Sequence, residues 1–405
     1  MKCGLLGEKL GHSYSPQIHN ALENYSYDLF EKQPEELEGF LKNGDFHGLN
    51  VTIPYKKAVI PYLAELSPVA ARLGAVNTVV RREDGSLIGH NTDYFGFKTM
   101  VKASGLQVAG KKVLVLGSGG ASNTAVAVMQ ELGAEVIVIS RSGENNYSNL
   151  RCHRDAAVIV NSTPVGMYPN VADSPVSLEH FPSLEGVLDL IFNPARTRLL
   201  QKAEDRGLVA MNGLLMLVAQ AKESAEWFTG STIDDEKIGA IHQALQKQMQ
   251  NIVLIGMPGC GKTSVATELA RLTGKDVVDA DAEIVKTAGM SIPEIFEQGG
   301  EEAFRKVETK VLEQLGKRSG IILSTGGGCV TRQENYPLLH QNGRIFWLRR
   351  DIAALPTDGR PISQSSDLNK LFEIRRPLYE AFADEIIENN GTLADAAGKI
   401  LEKLL

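Results

Sequence analysis

The stretch "NIVLIGMPGCGKTSVATELA", residues 251–270, sets Gly256, Gly261, Lys262 and Thr263 in the spacing GxxxxGK[ST], behind an apolar run and ahead of a helix-length segment. Glycines in such a turn, Gly259 included, let successive backbone N–H groups point inward around a phosphate. Lys262 adds a cation for the β- and γ-phosphates, Thr263 a hydroxyl for Mg²⁺, and Ser264 lies beside it in the first helical turn. The predicted donor is a nucleoside triphosphate, ATP being the expected one. Its acceptor must be read from other residues. Asp279 and Asp281 end a short apolar run in "DVVDADAEI", where ligands collect in open parallel sheets. Asp281 could orient or deprotonate an acceptor hydroxyl and Asp279 could help hold hydrated Mg²⁺; the plainer alternative for either is a helix N-cap. Arg305 and Glu308 stand one helical turn apart in "EEAFRKVE", "STGGG" carries Gly326 to Gly328, and "RRPLYEAFAD" carries Arg375. Two guanidiniums and a run of backbone N–H groups suit a carboxylate-bearing acceptor, although either arginine alone reads as a solvated one.

A second glycine turn lies far upstream. In "KKVLVLGSGGASNTAVAVMQELG" Gly117 and Gly119, with Gly120 next to them, form a GxGxx turn after an apolar run, and Ser122 fills the third glycine position. About twenty residues on, where NAD sites place an acidic residue at the ribose, "ISRSGEN" offers Ser140 and Arg141, which favours NADP over NAD.

The elements that must carry these residues fall into two sets. Short apolar runs ("KVLVLG", "EVIVIS", "AAVIVNST", "GVLDLIF") alternate with helix-length segments up to about residue 213, and a second series ("NIVLIG", "DVVDAD", "GIILSTGGG", "RIFWLRR") does so from residue 251. This predicts two α/β systems, in keeping with 405 residues and 43% hydrophobic content, more than one core usually serves. Between them "STIDDEKIGAIHQALQKQMQ" reads as an amphipathic helix capped by Ser231 or Thr232, with Ile238, Ile241 and Leu245 on one face. It abuts the next strand without a Gly/Pro-rich linker. A net charge of −7 and the lack of any Lys/Arg run argue against nucleic acid or a membrane surface as partner. Four scattered cysteines, Cys3, Cys152, Cys260 and Cys329, suggest free thiols in a reducing compartment and no structural zinc. With no apolar signal segment and no long apolar window, the expected location is the cytoplasm.

Residues 250–405 resemble shikimate kinase. The resemblance implies Asp281, Arg305, Gly327 and Arg375 around shikimate, Lys262, Thr263 and Mg²⁺ at the phosphates, and "TDGRPIS" as a lid that brings Arg360 into the phosphate site. The further arginine by which that family often holds adenine is absent from "DIAALPTDGRP". The segments "LGHSYSPQIHNAL", "GLNVTIPYKKAV", "GAVNTVVRREDGSLIGHNTDYFGF" and "MNGLLMLVAQA" together resemble shikimate dehydrogenase across about residues 1–245. This resemblance implies Ser13 and Ser15 at the substrate carboxylate, Thr52, Asn77 and Gln220 at its ring hydroxyls, Gly213 beside the cofactor, and Lys56 with Asp93 as the catalytic pair. Ketone reduction independently needs a proton donor held beside the carbonyl. Taken singly, Lys56 reads as a surface lysine and Asp93 as a helix cap; four segments in family order outweigh that. His12 and His19 are expected in packing or local hydrogen bonds, and Tyr14 at the periphery. Phe192 stands where that family commonly has tyrosine, and Glu144 where a second phosphate-binding arginine would help.

The expected architecture is therefore α/β throughout. A substrate domain (1–95 plus 214–245) and a Rossmann-like NADP-binding domain (96–213) precede a P-loop parallel-sheet kinase domain (250–405). The expected chemistry is NADPH reduction of 3-dehydroshikimate to shikimate, then MgATP phosphorylation of shikimate, on a monomer or homodimer whose partners are its small-molecule substrates. The alternatives are a non-catalytic metabolite sensor or repressor, and a bifunctional dehydrogenase-kinase whose front half prefers quinate and NAD.

Overall fold

The computed structural model describes residues 1–11, 13–355 and 368–404. Two compact units emerge: Met1–Met167 with Ala172–Phe192 and Leu199–Ala244, and Tyr168–Val171 with Asn193–Arg198 and Leu245–Leu405.

The first unit contains two sheets. One has the strand order β2-β1-β3-β5-β6-β4, with β1 Lys2–Gly7, β2 Ser26–Glu31, β3 Gly48–Val51, β4 Glu65–Leu66, β5 Thr78–Arg81 and β6 Leu87–His90. It is mixed: β1 runs parallel to β2 and β3, whereas β5 is antiparallel to β3 and β6. The other sheet is wholly parallel, in the order β11-β10-β9-β7-β8, from β7 Lys112–Leu116, β8 Glu135–Ile139, β9 Val158–Asn161, β10 Gly186–Asp189 and β11 Val209–Met211. Its strand order reverses between β7 and β9, which opens a crevice at the carboxyl end of β7. The apolar runs explain this sheet, because strands covered on both faces by helices bury nearly every side chain. Val113, Leu114, Val115 and Leu116 are all fully buried.

The second unit is built on a parallel sheet in the order β13-β14-β12-β15-β16, comprising β12 Asn251–Ile255, β13 Val277–Asp279, β14 Ile322–Ser324, β15 Gly343–Arg349 and β16 Glu385–Glu388. Central β12 has β14 on one side and β15 on the other, so the turn after β12 opens where strand order reverses. The amphipathic helix before β12 spans Glu236–Met249 and buries Ile238, Ile241 and Leu245 as expected. Its start is set differently: Asp234 accepts the Glu236 N–H at 2.9 Å, because the helix begins five residues beyond Ser231 and out of reach of both predicted caps. Among the described residues no helix is long and apolar enough to cross a membrane.

Candidate functional site

In the first unit, the loop after β3 carries Thr52 and Lys56. Tyr55, 2% exposed, anchors that loop through its hydroxyl, which donates to Lys32 O at 2.6 Å, and Val76 N–H donates to Lys56 O at 2.8 Å. The Lys56 ammonium thereby meets Asp93 Oδ2 at 2.6 Å, with the two side chains 28% and 14% exposed. Asp93 opens the helix Asp93–Ser104, whose terminal N–H groups favour its negative charge. Its carboxylate therefore combines the lysine contact with a place in the first helical turn.

Behind this pair lies a buried polar network. Asn77 Oδ1 accepts the Thr92 N–H at 2.7 Å and its Nδ2 donates to Thr92 Oγ1 at 3.0 Å, while Thr92 Oγ1 lies 3.3 Å from Gln220 Oε1. Thr78, Ser224, Asn50 and Tyr27 extend the network through bonds of 2.7 to 2.9 Å. Asn77 is buried with both ends of its amide bonded, and half-buried Gln220 donates to Leu217 O at 3.0 Å while its Oε1 faces Thr92, so both amides are oriented before a ligand arrives. Thr92 is next to Asp93 in sequence and could have been found there. Asn50 and Ser224 are 174 residues apart, and no local signal joins them.

Ser13 Oγ accepts the Ser15 N–H at 3.2 Å at the start of helix Ser15–Leu22, and Ser15 is buried. His19 is fully buried, with Nδ1 2.5 Å from Tyr25 OH and its ring stacked on Tyr27 at 4.0 Å. Burial pushes its pKa down to about 3, consistent with a packed neutral ring. Tyr14 packs edge-on against Phe192 at 6.2 Å. His12 lies outside the described residues.

Gly117, with φ of 109°, occupies the left-handed region that glycine adopts most readily, in the turn after β7. Ser122 Oγ donates to Gly117 O at 2.7 Å, which explains why a serine fits the third glycine position. Helix Gly120–Glu131 has Gly119 as N-cap and no side-chain cap, leaving its first N–H groups for an anion. Ser140 and exposed Arg141 follow β8. Gly213 lies against backbone: a Cβ there would come 2.2 Å from Leu190 O.

In the second unit a cavity of about 720 Å³ opens over the turn after β12. Helix Lys262–Thr273 starts there with Gly261 as N-cap and no side-chain cap, and the turn glycines Gly256, Gly259 and Gly261 all have positive φ. Buried Lys262 donates to Gly256 O at 2.9 Å and Met257 O at 3.1 Å. Thr263 Oγ1 donates to Asp279 Oδ2 at 3.2 Å and lies 3.3 Å from Ser324 Oγ, while Ser264 is exposed. Asp279 also caps helix Ala280–Ala288, its Oδ1 accepting the Asp281 and Ala282 N–H groups. The cap and Mg²⁺ readings of Asp279 thus use different oxygens. Hard oxygen donors at Thr263 and Asp279 fit Mg²⁺, which retains waters and phosphate ligands. Among the described residues no group of three His, Cys, Asp or Glu side chains is arranged to hold a metal alone.

Opposite stand the acceptor residues. Arg305, 5% exposed, donates to Glu308 Oε2 at 2.6 Å and to Glu301 Oε1 at 3.0 and 3.2 Å. Glu308 is fully buried; burial pushes its carboxyl pKa up, Arg305 opposes that shift and Asp281 adds to it. Removing one member of such a pair leaves a lone buried charge, a cost of about 3–5 kcal/mol. Arg375 donates to Gly327 O at 3.2 Å, and Tyr379 donates to the same carbonyl. Tyr379 and Glu301 escaped the sequence reading, although Tyr379 follows Arg375 by one helical turn. The glycine run is explained by close approach: a Cβ at Gly326 would meet Asp281 Oδ1 and Glu308 Oε1 at 2.9 Å, and one at Gly328 would meet Arg305 NH2 at 2.0 Å. Arg360 and the rest of the expected lid "TDGRPIS" lie outside the described residues.

Comparison with known proteins finds relatives for both parts of the chain. Residues 5–79 match the family model for the shikimate dehydrogenase substrate binding domain, and residues 258–405 match that for shikimate kinase. A shikimate dehydrogenase (NADP(+)) of Clostridium perfringens is 34% identical over 265 residues, covering 60% of this chain and 97% of that protein. The crystal structure of shikimate dehydrogenase 1 from Peptoclostridium difficile, 40% identical, aligns with a TM-score of 0.56 over 60% of this chain and 97% of that one. That of Thermus thermophilus shikimate 5-dehydrogenase in complex with NADP(H) and shikimate, 33% identical, gives 0.56 over 60% and 99%. The chain belongs to the shikimate dehydrogenase family and carries a shikimate kinase domain behind that part, so that two enzymes share one polypeptide.

Proposed function

We propose that the front part reduces 3-dehydroshikimate to shikimate with NADPH, and that the back part transfers the γ-phosphoryl group of MgATP to the 3-hydroxyl of shikimate. The observation that carries the first half is the 2.6 Å Lys56–Asp93 contact beside the fixed amides of Asn77 and Gln220. A bound dinucleotide supplies the hydride. Lys56 Nζ gives a proton to the oxygen that becomes the 3-hydroxyl, and Asp93 orients the ammonium and balances its charge. Ser13 and Ser15 hydroxyls hold the substrate carboxylate; Thr52, Asn77 and Gln220 select the ring hydroxyls. Gly117, Gly119, Gly120 and the helix behind them cradle the pyrophosphate, Gly213 packs beside the dinucleotide, and Ser140 with Arg141 takes the 2′-phosphate.

In the kinase half Arg305 and Arg375 hold the shikimate carboxylate, with Gly327 beside the ring, and Asp281 Oδ1 faces the reacting hydroxyl. Thr263 and Asp279 hold Mg²⁺, which neutralises phosphate charge. Lys262 leaves its carbonyl partners for the phosphates, joined by Arg360. Catalysis there is positioning and charge neutralisation.

Separate initial rates test both halves. NADP(H) should exceed NAD(H) in kcat/KM, shikimate should exceed quinate as substrate of the reverse oxidation, and shikimate should stimulate Mg²⁺-dependent ATP consumption. Lys56→Ala should lower the dehydrogenase kcat by about 10²–10⁴-fold. Preference for NAD with quinate would install the rival substrate reading, and ligand binding without turnover in either half would install the sensor.

A further inference from the structure

The cavity over the P-loop is lined by four cationic side chains among the described residues: Lys262, Arg305, Arg350 and Arg375. Three are engaged. Lys262 donates to two backbone carbonyls, Arg305 to Glu308 and Glu301, and Arg375 to Gly327 O. Arg350 makes no hydrogen bond or ion pair with any described residue, and its Nε is buried without a partner. Its neighbours are held: Arg349 pairs with Glu388, and Asp351 N–H donates to Asn390 Oδ1 at 2.9 Å.

Its position follows from the sheet. Arg350 comes directly after β15, which pairs in parallel with β12, so both chain segments leave the sheet at the same edge. The P-loop touches this place: a Cβ on Gly256 would come 2.6 Å from Leu348 O, two residues before Arg350. Of the cavity's carboxylates, Asp279 is bonded to Thr263 and to the N–H groups it caps, Glu308 to Arg305, and Asp281 stands against Gly326 on the acceptor side. A guanidinium with one desolvated N–H and no counter-charge among the described residues is costly until an anion reaches it, and the anion that the P-loop gathers is a polyphosphate.

We infer that Arg350 is a nucleotide-binding residue of the kinase half, holding the β- and γ-phosphates of ATP from the β15 side of the P-loop. The inference rests on the kinase reading above and adds a residue that the sequence reading did not single out.

Calorimetric titration of the full chain with MgADP, with the non-hydrolysable MgATP analogue carrying a β,γ-imido bridge, and with AMP tests it on wild type, Arg350→Gln, Arg350→Lys and Lys262→Ala. Loss of a charge-assisted phosphate contact should weaken the ADP and ATP-analogue affinities of Arg350→Gln by about 10–100-fold and that of AMP far less, with Arg350→Lys recovering part. The KM for shikimate should stay within about twofold and the melting temperature near that of wild type, because Arg350 has no partner among the described residues to lose. Undiminished ADP and analogue binding by Arg350→Gln, with Lys262→Ala impaired, overturns the inference and leaves the kinase reading standing. An equal loss for AMP and ADP overturns the phosphate assignment in favour of the base or sugar. Wild type that binds no nucleotide removes the kinase reading itself, and this inference with it.

Discussion

Glu223 follows Gln220 by three residues on the helix Leu214–Thr229, with Oε2 buried and without a hydrogen-bond partner among the described residues. Burial, with Glu226 and Asp93 adding and Lys222 opposing, pushes its carboxyl up to about 8 from 4.5. Between those values the folded state keeps a proton that the unfolded state has released, so this group's contribution to stability declines as pH rises from about 4.5 to about 8 and is flat above. Scanning calorimetry should therefore find a shallower fall in melting temperature over that window for Glu223→Gln than for wild type. Equal slopes would contradict the assigned environment. Legibility at this scale depended on how local the chemistry is. Lys262 and Thr263 sit inside one contiguous motif, and Asp279 lies next to the N–H groups that it caps. Lys56 and Asp93 are 37 residues apart, and only the resemblance of whole segments joined them before the 2.6 Å contact did. Arg350 carried no signal, because a lone arginine after a strand reads as solvent-facing until its cavity is known.

The helix Ile292–Gly316 is broken in its backbone at Gly300, with φ of 68°, so Arg305 and Glu308 belong to a separate stretch that starts after the break. That stretch, the glycine turn after β14 and the helix Leu368–Phe382 bring Arg305, Gly327 and Arg375 to one cavity. Gly328→Ala would set a methyl group 2.0 Å from the Arg305 guanidinium and force it off Glu308. Kinase kcat/KM for shikimate should fall by at least about tenfold, in line with a displaced charge-assisted contact, while the dehydrogenase rate stays unchanged. An unaltered kinase would mean that Arg305 moves freely and does not anchor the substrate. Apolar runs revealed the parallel strands because burial on both faces demands them. They did not reveal β16, where "EIIE" leaves Ile386 exposed at the sheet edge, or the antiparallel pairing of β5 with β3 and β6, which depends on turns and not on apolar content.

Among the described residues, each compact unit holds its own set of candidate site groups. Lys56, Asp93, Asn77 and Gln220 all lie in the first unit, and Lys262, Thr263, Asp281, Arg305 and Arg375 in the second. The doubled architecture was legible because each half opens its nucleotide site with its own glycine turn after its own apolar strand. The central claim is that the product of the first half is the acceptor of the second. Its most direct test is one reaction of purified protein with 3-dehydroshikimate, NADPH and MgATP, following NADPH absorbance and shikimate 3-phosphate together. Wild type should consume NADPH and form the phosphate, Lys56→Ala should do neither, and Lys262→Ala should consume NADPH and accumulate shikimate. Phosphate formed by Lys56→Ala at the wild-type rate, or NADPH consumption that yields no acceptor for the kinase, would contradict the account.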